Sequence, residues 1–119
     1  MLYRIGTKQE LPTVASRLPE SVYTELLRGT AILDAEYGDS RNYLQSGGYS
    51  VIVETSDDLA QLKTIVDYDV HPYEWVTKIG KDSGYLSVLY LFNDDYSVVV
   101  YLPAAIAPKA ILNELEAQL

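Results

Sequence analysis

The feature that most constrains this chain is a pair of apolar segments, Tyr85 to Phe92 and Tyr96 to Leu102, separated by Asn93-Asp94-Asp95. Both are rich in β-branched and aromatic residues, and the three polar residues between them have the turn chemistry of a hairpin loop. Inside the second segment, Val98-Val99-Val100 is apolar at consecutive positions. Successive strand residues point to opposite faces, so this run needs cover on both faces and a central place in a sheet.

The remaining elements are read around that hairpin. Tyr73 to Ile79 alternates as a strand, with Tyr73, Trp75, Thr77 and Ile79 on one face, the alternative being a short helical turn after Pro72. With Gly80 to Gly84 as a turn, it completes a three-stranded meander. Tyr49 to Glu54 is rich in strand formers, and Leu2 to Ile5 is a candidate edge strand. Pro12 and Pro19 bracket an ambiguous stretch. From Glu20, the residues Val22, Leu26, Leu33 and Tyr37 recur at helical spacing, widened by Leu27 and Ile32, and Gly38 is a natural stop. Gly29 inside that helix marks close packing or a bend, because glycine there costs about 1 kcal/mol relative to alanine. Thr55 with Asp58 approximates a capping box for a helix running to about Asp67, and Pro108 opens a helix with Ile111, Leu112, Leu115 and Leu119 on its buried face. The expected fold class is α+β: a mostly antiparallel sheet of four to five strands with a C-terminal three-stranded meander, helices packed mainly on one face, and one domain over residues 1–119.

Composition narrows the chemistry. The chain has 119 residues and no cysteine, which excludes disulfides, zinc–thiolate sites and thiol nucleophiles and suits a reducing compartment. Met1 to Gly6 holds no apolar core of signal-peptide length, and no run is long enough to span a bilayer, so a cytoplasmic location and no membrane partner are expected. The formal charge is −8. Residues 1–30 carry four bases against three acids, and residues 31–119 five bases against fourteen acids, so the negative surplus belongs to the later part. Such a field repels phosphates and steers basic partners, although it also serves plain solubility. Direct nucleic-acid binding is not expected, because no basic stripe with interleaved aromatics exists. Eleven tyrosines suit half-buried sheet positions and recognition surfaces alike.

His71 is the sole histidine, in the string His71-Pro72-Tyr73-Glu74-Trp75. A general-base role would pair it with Asp67, Asp69 or Glu74, but no serine stands in a G-x-S-x-G elbow, and a turn-capping role is the simpler one. Asp57-Asp58, Asp67-Tyr68-Asp69 and Asp94-Asp95 lack the remaining pattern of a calcium loop and read as helix-end and turn residues, so neither metal nor cofactor is expected. Gly47-Gly48 precedes a strand rather than a helix, unlike phosphate-binding loops. Asp34, Glu36 and Asp39 stand with Arg41 around the end of the long helix, where acids oppose the dipole. That placement is either functional or compensated by Arg41 and other bases.

The strings Asp34-Ala35-Glu36-Tyr37-Gly38 with Arg41, Gly47-Gly48-Tyr49, His71 to Trp75, the meander and Ala107 to Leu112 together resemble a functionally uncharacterised family of small acidic bacterial proteins associated with mobile genetic elements of Gram-positive bacteria. The likeness covers about residues 20 to 115 and implies a context, with no activity, cofactor or catalytic residue. The leading expectation is a non-enzymatic acidic module that binds a basic protein, as an inhibitor or immunity-type partner, through Asp34, Glu36, Asp39, Asp67, Asp69 and Glu74, with Arg41, His71 and Trp75 as further candidates. The alternatives are a nucleic-acid mimic, which requires acids in rows on one face, and an enzyme or small-ligand protein with a site around His71, Glu74 and Trp75.

Overall fold

A computed structural model describes residues 2–5, 10–37, 48–64, 66, 73–80, 83–93 and 96–117, with the backbone alone at 30, 32–37, 48, 49, 73–75, 91–93, 96 and 97. The elements are β1 (Tyr3–Ile5), α1 (Pro12–Ala15), α2 (Glu20–Tyr37), β2 (Gly48–Ile52), α3 (Ser56–Leu62), β3 (Tyr73–Ile79), β4 (Tyr85–Asn93), β5 (Tyr96–Pro103), a 3₁₀ turn (Ala104–Ile106) and α4 (Lys109–Ala117). The five strands form one sheet in the order β1-β2-β5-β4-β3. The meander β3-β4-β5 is antiparallel throughout, β1 is antiparallel to β2, and β2 runs parallel to β5. The protein therefore has the α+β class and the mostly antiparallel sheet that the sequence predicts.

The expectation that helices pack mainly on one face is corrected. Val98, Val100 and Leu102 of β5 join Leu86, Val88 and Tyr90 of β4 and Val51 of β2 under Leu62 and Val66, at and just beyond the end of α3, and Ile111 of α4. On the opposite face, Val99 and Tyr101 join Ile52, Ile79 and Ile5 under Val14 of α1 and Val22 and Leu26 of α2. The cause is the valine run itself. A central strand apolar on both faces leaves one face wet unless helices divide between them, at about 1.5–3 kcal/mol for each large side chain covered.

Local chemistry sets the helix ends. The Pro19 carbonyl accepts the first helical bonds, from the amides of Val22 and Tyr23, and the Pro108 carbonyl does the same for Ile111 and Leu112. Thr55 and Asp58 form the full reciprocal capping box. Helix α3 stops at Leu62 rather than near Asp67, because the Lys63 amide and the Thr64 hydroxyl both turn back to the Gln61 carbonyl. Val66 still reaches the core, its amide held by the Leu62 carbonyl at 2.8 Å. The ambiguous stretch after Pro12 is α1, anchored by buried Leu11, Val14 and Leu18. Leu27 does not widen the buried stripe of α2 but stands 43% exposed.

Candidate functional site

Helix α2 starts against the far end of β3. Gly80 and Gly84, with φ of +61° and +74°, turn the chain from β3 into β4 through a left-handed conformation that a side chain would strain. The Ser83 hydroxyl donates to the Ile79 carbonyl and accepts from the Tyr85 amide, which pins that turn. A Cβ placed on Gly80 would stand 3.6 Å from the Cβ of Ser21, so the first turn of α2 lies directly against it. Farther along, Gly29 faces Tyr101: a Cβ there would be 3.1 Å from the tyrosine oxygen. The helix thus crosses the sheet from the end of β3 toward β5.

Between α2 and β3 runs a cleft of about 710 Å³, lined by Pro19, Glu20, Ser21, Thr24, Glu25, Ile79, Gly80 and Ser83. A smaller pocket of about 260 Å³ adjoins it, sharing Glu25, Ile79 and Gly80 and adding Arg28, Thr77, Lys78 and Ser87. Arg28 Nε donates to both Glu25 oxygens at 3.1 Å, and this bond raises the guanidinium's affinity for its proton further. Ser87 is 3% exposed, and its hydroxyl has no hydrogen-bond partner among the described residues. Tyr101 lies beside it across the β4–β5 pair, hydrogen-bonded to Ser50. Burial, aided by the Glu25 charge and opposed by Arg28 and Ser50, pushes its hydroxyl up to about 12.

The residues singled out from sequence fall elsewhere. Asp34 and Glu36 belong to the last turns of α2, and Glu74 and Trp75 to the first residues of β3. Asp39, Arg41, Asp67, Asp69 and His71 lie outside the described residues. Sheet register fixes where the flanking elements meet. Gly48 of β2 pairs with Ser97 of β5, Asn93 of β4 pairs with Tyr96, and Tyr73 of β3 pairs with Tyr90. The starts of β2, β3 and β5 and the end of β4 therefore share one end of the sheet. Helix α2 begins at the opposite end and crosses the sheet obliquely, from Gly80 at Ser21 to Tyr101 of β5 at Gly29, and the chain that leaves it after Tyr37 enters β2 at that shared end, at Gly48.

Sequence reasoning did not find the cleft. Glu25 and Arg28 carry only the i,i+3 spacing of an ordinary helix pair, and Ser87 sits in the middle of an apolar strand. Gly29 is the one visible signal, and it marks close packing of the helix on Tyr101. Among the described residues, no three histidine, aspartate or glutamate side chains converge as a metal site, and no helix is long and apolar enough to cross a membrane. The chain matches no protein-family model, no curated protein and no solved structure.

Proposed function

We propose that the protein is a non-enzymatic acidic module that binds a basic protein. One observation carries this reading: the stretches of sequence that lead into β2, β3 and β5, whose starts share one sheet end, are rich in acids. Residues 34–41, 67–74 and 93–96 contain Asp34, Glu36, Asp39, Asp67, Asp69, Glu74, Asp94 and Asp95 against Arg41 as the sole lysine or arginine. Three of the nine acids elsewhere have structural work: Asp58 caps α3, Glu54 pairs with Arg17 at 3.3 Å, and Glu25 pairs with Arg28. A one-sign field at one end of a fold raises association rate and selects partners by charge. An inhibitor or immunity-type role, a cytoplasmic setting and the bacterial mobile-element context implied by the resemblance belong to this proposal.

The test is capture from host lysate at low and moderate salt, with wild type beside a variant carrying Asp34→Lys, Glu36→Lys and Asp39→Lys. A basic protein held by wild type at low salt, released at moderate salt and weakened at least about tenfold by the variant is the expected result. Equal capture by the variant would remove the acidic end from the mechanism.

A further inference from the structure

We infer that the outer edge of β3 and the cleft beside α2 form a docking site for an extended basic peptide segment of a partner protein, received by strand addition. This rests on the reading of the chain as a protein-binding module, but it uses a different surface from the acidic end.

Three observations support it. First, β3 is the last strand in the sheet order and pairs only with β4, so the outward amides and carbonyls of its seven residues have no strand beyond them among the described residues. Edge strands are usually guarded by charges, prolines or bulges. Here the register shift lies between Tyr73 and Trp75, at the start of the strand, and the half from Val76 to Ile79 keeps regular pairing. Lys78 is the charged residue on that half, and it lines the smaller pocket rather than the larger cleft, whose charged residues are Glu20 and Glu25.

Second, the regular half is the part that borders the cleft. An added strand presents alternate side chains to the α2 face at intervals of about 7 Å. One such side chain would enter the larger cleft and the next the smaller pocket, where the buried Ser87 hydroxyl lacks a partner among the described residues. The larger cleft is open to solvent along Pro19, Glu20, Ser21, Thr24 and Gly80, all exposed. A small molecule there would keep much of its surface wet, whereas a peptide adds main-chain hydrogen bonds to that limited burial.

Third, charge selects the occupant. Glu25 is neutralised by Arg28, while Glu20 has no ion-pair partner among the described residues. With the hydroxyls of Ser21, Thr24 and Ser83 beside it, Glu20 fits a lysine or arginine side chain.

The experiment titrates the isotope-labelled full chain with a synthetic peptide alternating threonine and lysine, of the length of β3, followed by amide NMR shifts and hydrogen exchange. Saturable shifts confined to Glu20–Arg28 and Val76–Gly80 are expected, with slowed exchange in β3, and a peptide alternating threonine and glutamate should give none. Glu20→Lys and Thr24→Trp change exposed positions, so spectra elsewhere should stay unchanged while each weakens binding by about tenfold or more. Absence of saturable shifts, shifts centred outside these segments, or undiminished affinity in both variants would overturn the docking site. The Asp34, Glu36 and Asp39 charge-reversed variant separates the two readings: it should retain the peptide while losing the basic protein.

Discussion

Replacing Asp58 with alanine is expected to destabilise the protein by about 3 kcal/mol in urea unfolding at neutral pH, from loss of a cap and of hydrogen bonds to a charged acceptor. The carboxylate is 1% exposed and accepts from the amides of Glu54 at 2.9 Å and Thr55 at 3.1 Å, while its own amide donates to the Thr55 hydroxyl at 3.2 Å. Burial by itself would raise the affinity of this carboxyl for a proton. The hydrogen bonds it receives, those two amides among them, outweigh burial and hold it below the usual carboxylate range. The sign follows from linkage. A carboxyl with a depressed folded value contributes stability that is fully present above its unfolded value of about 3.9 and is lost as pH falls through the folded value. Wild type should therefore lose stability on acidification below about pH 4 more steeply than Asp58→Ala. Asp58→Asn keeps an acceptor oxygen but not the charge, so it should fall between the two. Parallel acid limbs for wild type and Asp58→Ala would show that the carboxyl has the same proton affinity folded and unfolded, so that its hydrogen bonds do not outweigh its burial.

The capping box is legible in the sequence because it is local: two side chains three residues apart satisfy two amides, whatever packs around them. The meander is legible for a related reason, since a short polar turn between two strand-forming segments forces neighbours in sequence to be neighbours in space. The parallel pairing of β2 with β5 is not, because nothing within either segment records that 43 residues, from Val53 to Asp95, intervene before the partner arrives. The division of helices between the faces is implicit in Val98-Val99-Val100, and reading those valines as doubly covered already requires it. Leu27 shows the opposite failure, since apolar periodicity assigns it to the core while α2 meets the sheet through a narrower face of Val22 and Leu26. The cleft escapes notice because Glu20, Thr24, Thr77 and Ser87 converge only when α2 crosses β3, and each is an ordinary residue in its own segment.

Gly29 and Tyr101 allow that crossing to be tested as a pair. Alanine at an exposed position inside a helix is worth about 1 kcal/mol over glycine, but at position 29 the new Cβ would stand 3.1 Å from the Tyr101 oxygen. Tyr101 is 2% exposed and its hydroxyl is held by Ser50, so it cannot swing away without leaving buried hydroxyls unpaired. Gly29→Val, with a larger side chain in the same gap, should cost about 3 kcal/mol, the upper range for overpacking. In a Tyr101→Phe background, which removes the obstructing oxygen, Gly29→Ala should become stabilising by about 1 kcal/mol. Tyr101→Phe alone should cost about 1–2 kcal/mol, because it strands the Ser50 hydroxyl. The same hydroxyl sets the alkaline limb. Its folded value of about 12 lies above the unfolded value of about 10, so its contribution is intact below pH 10 and falls by about 3 kcal/mol as pH rises toward 12. Tyr101→Phe should lack that part of the alkaline loss. A double-mutant cycle by urea unfolding at neutral pH and at pH 11 measures both effects. If Gly29→Ala gave the same change with tyrosine or phenylalanine at 101, α2 would not sit on β5 at that point, and the walls of the cleft beside β3 would have to be redrawn.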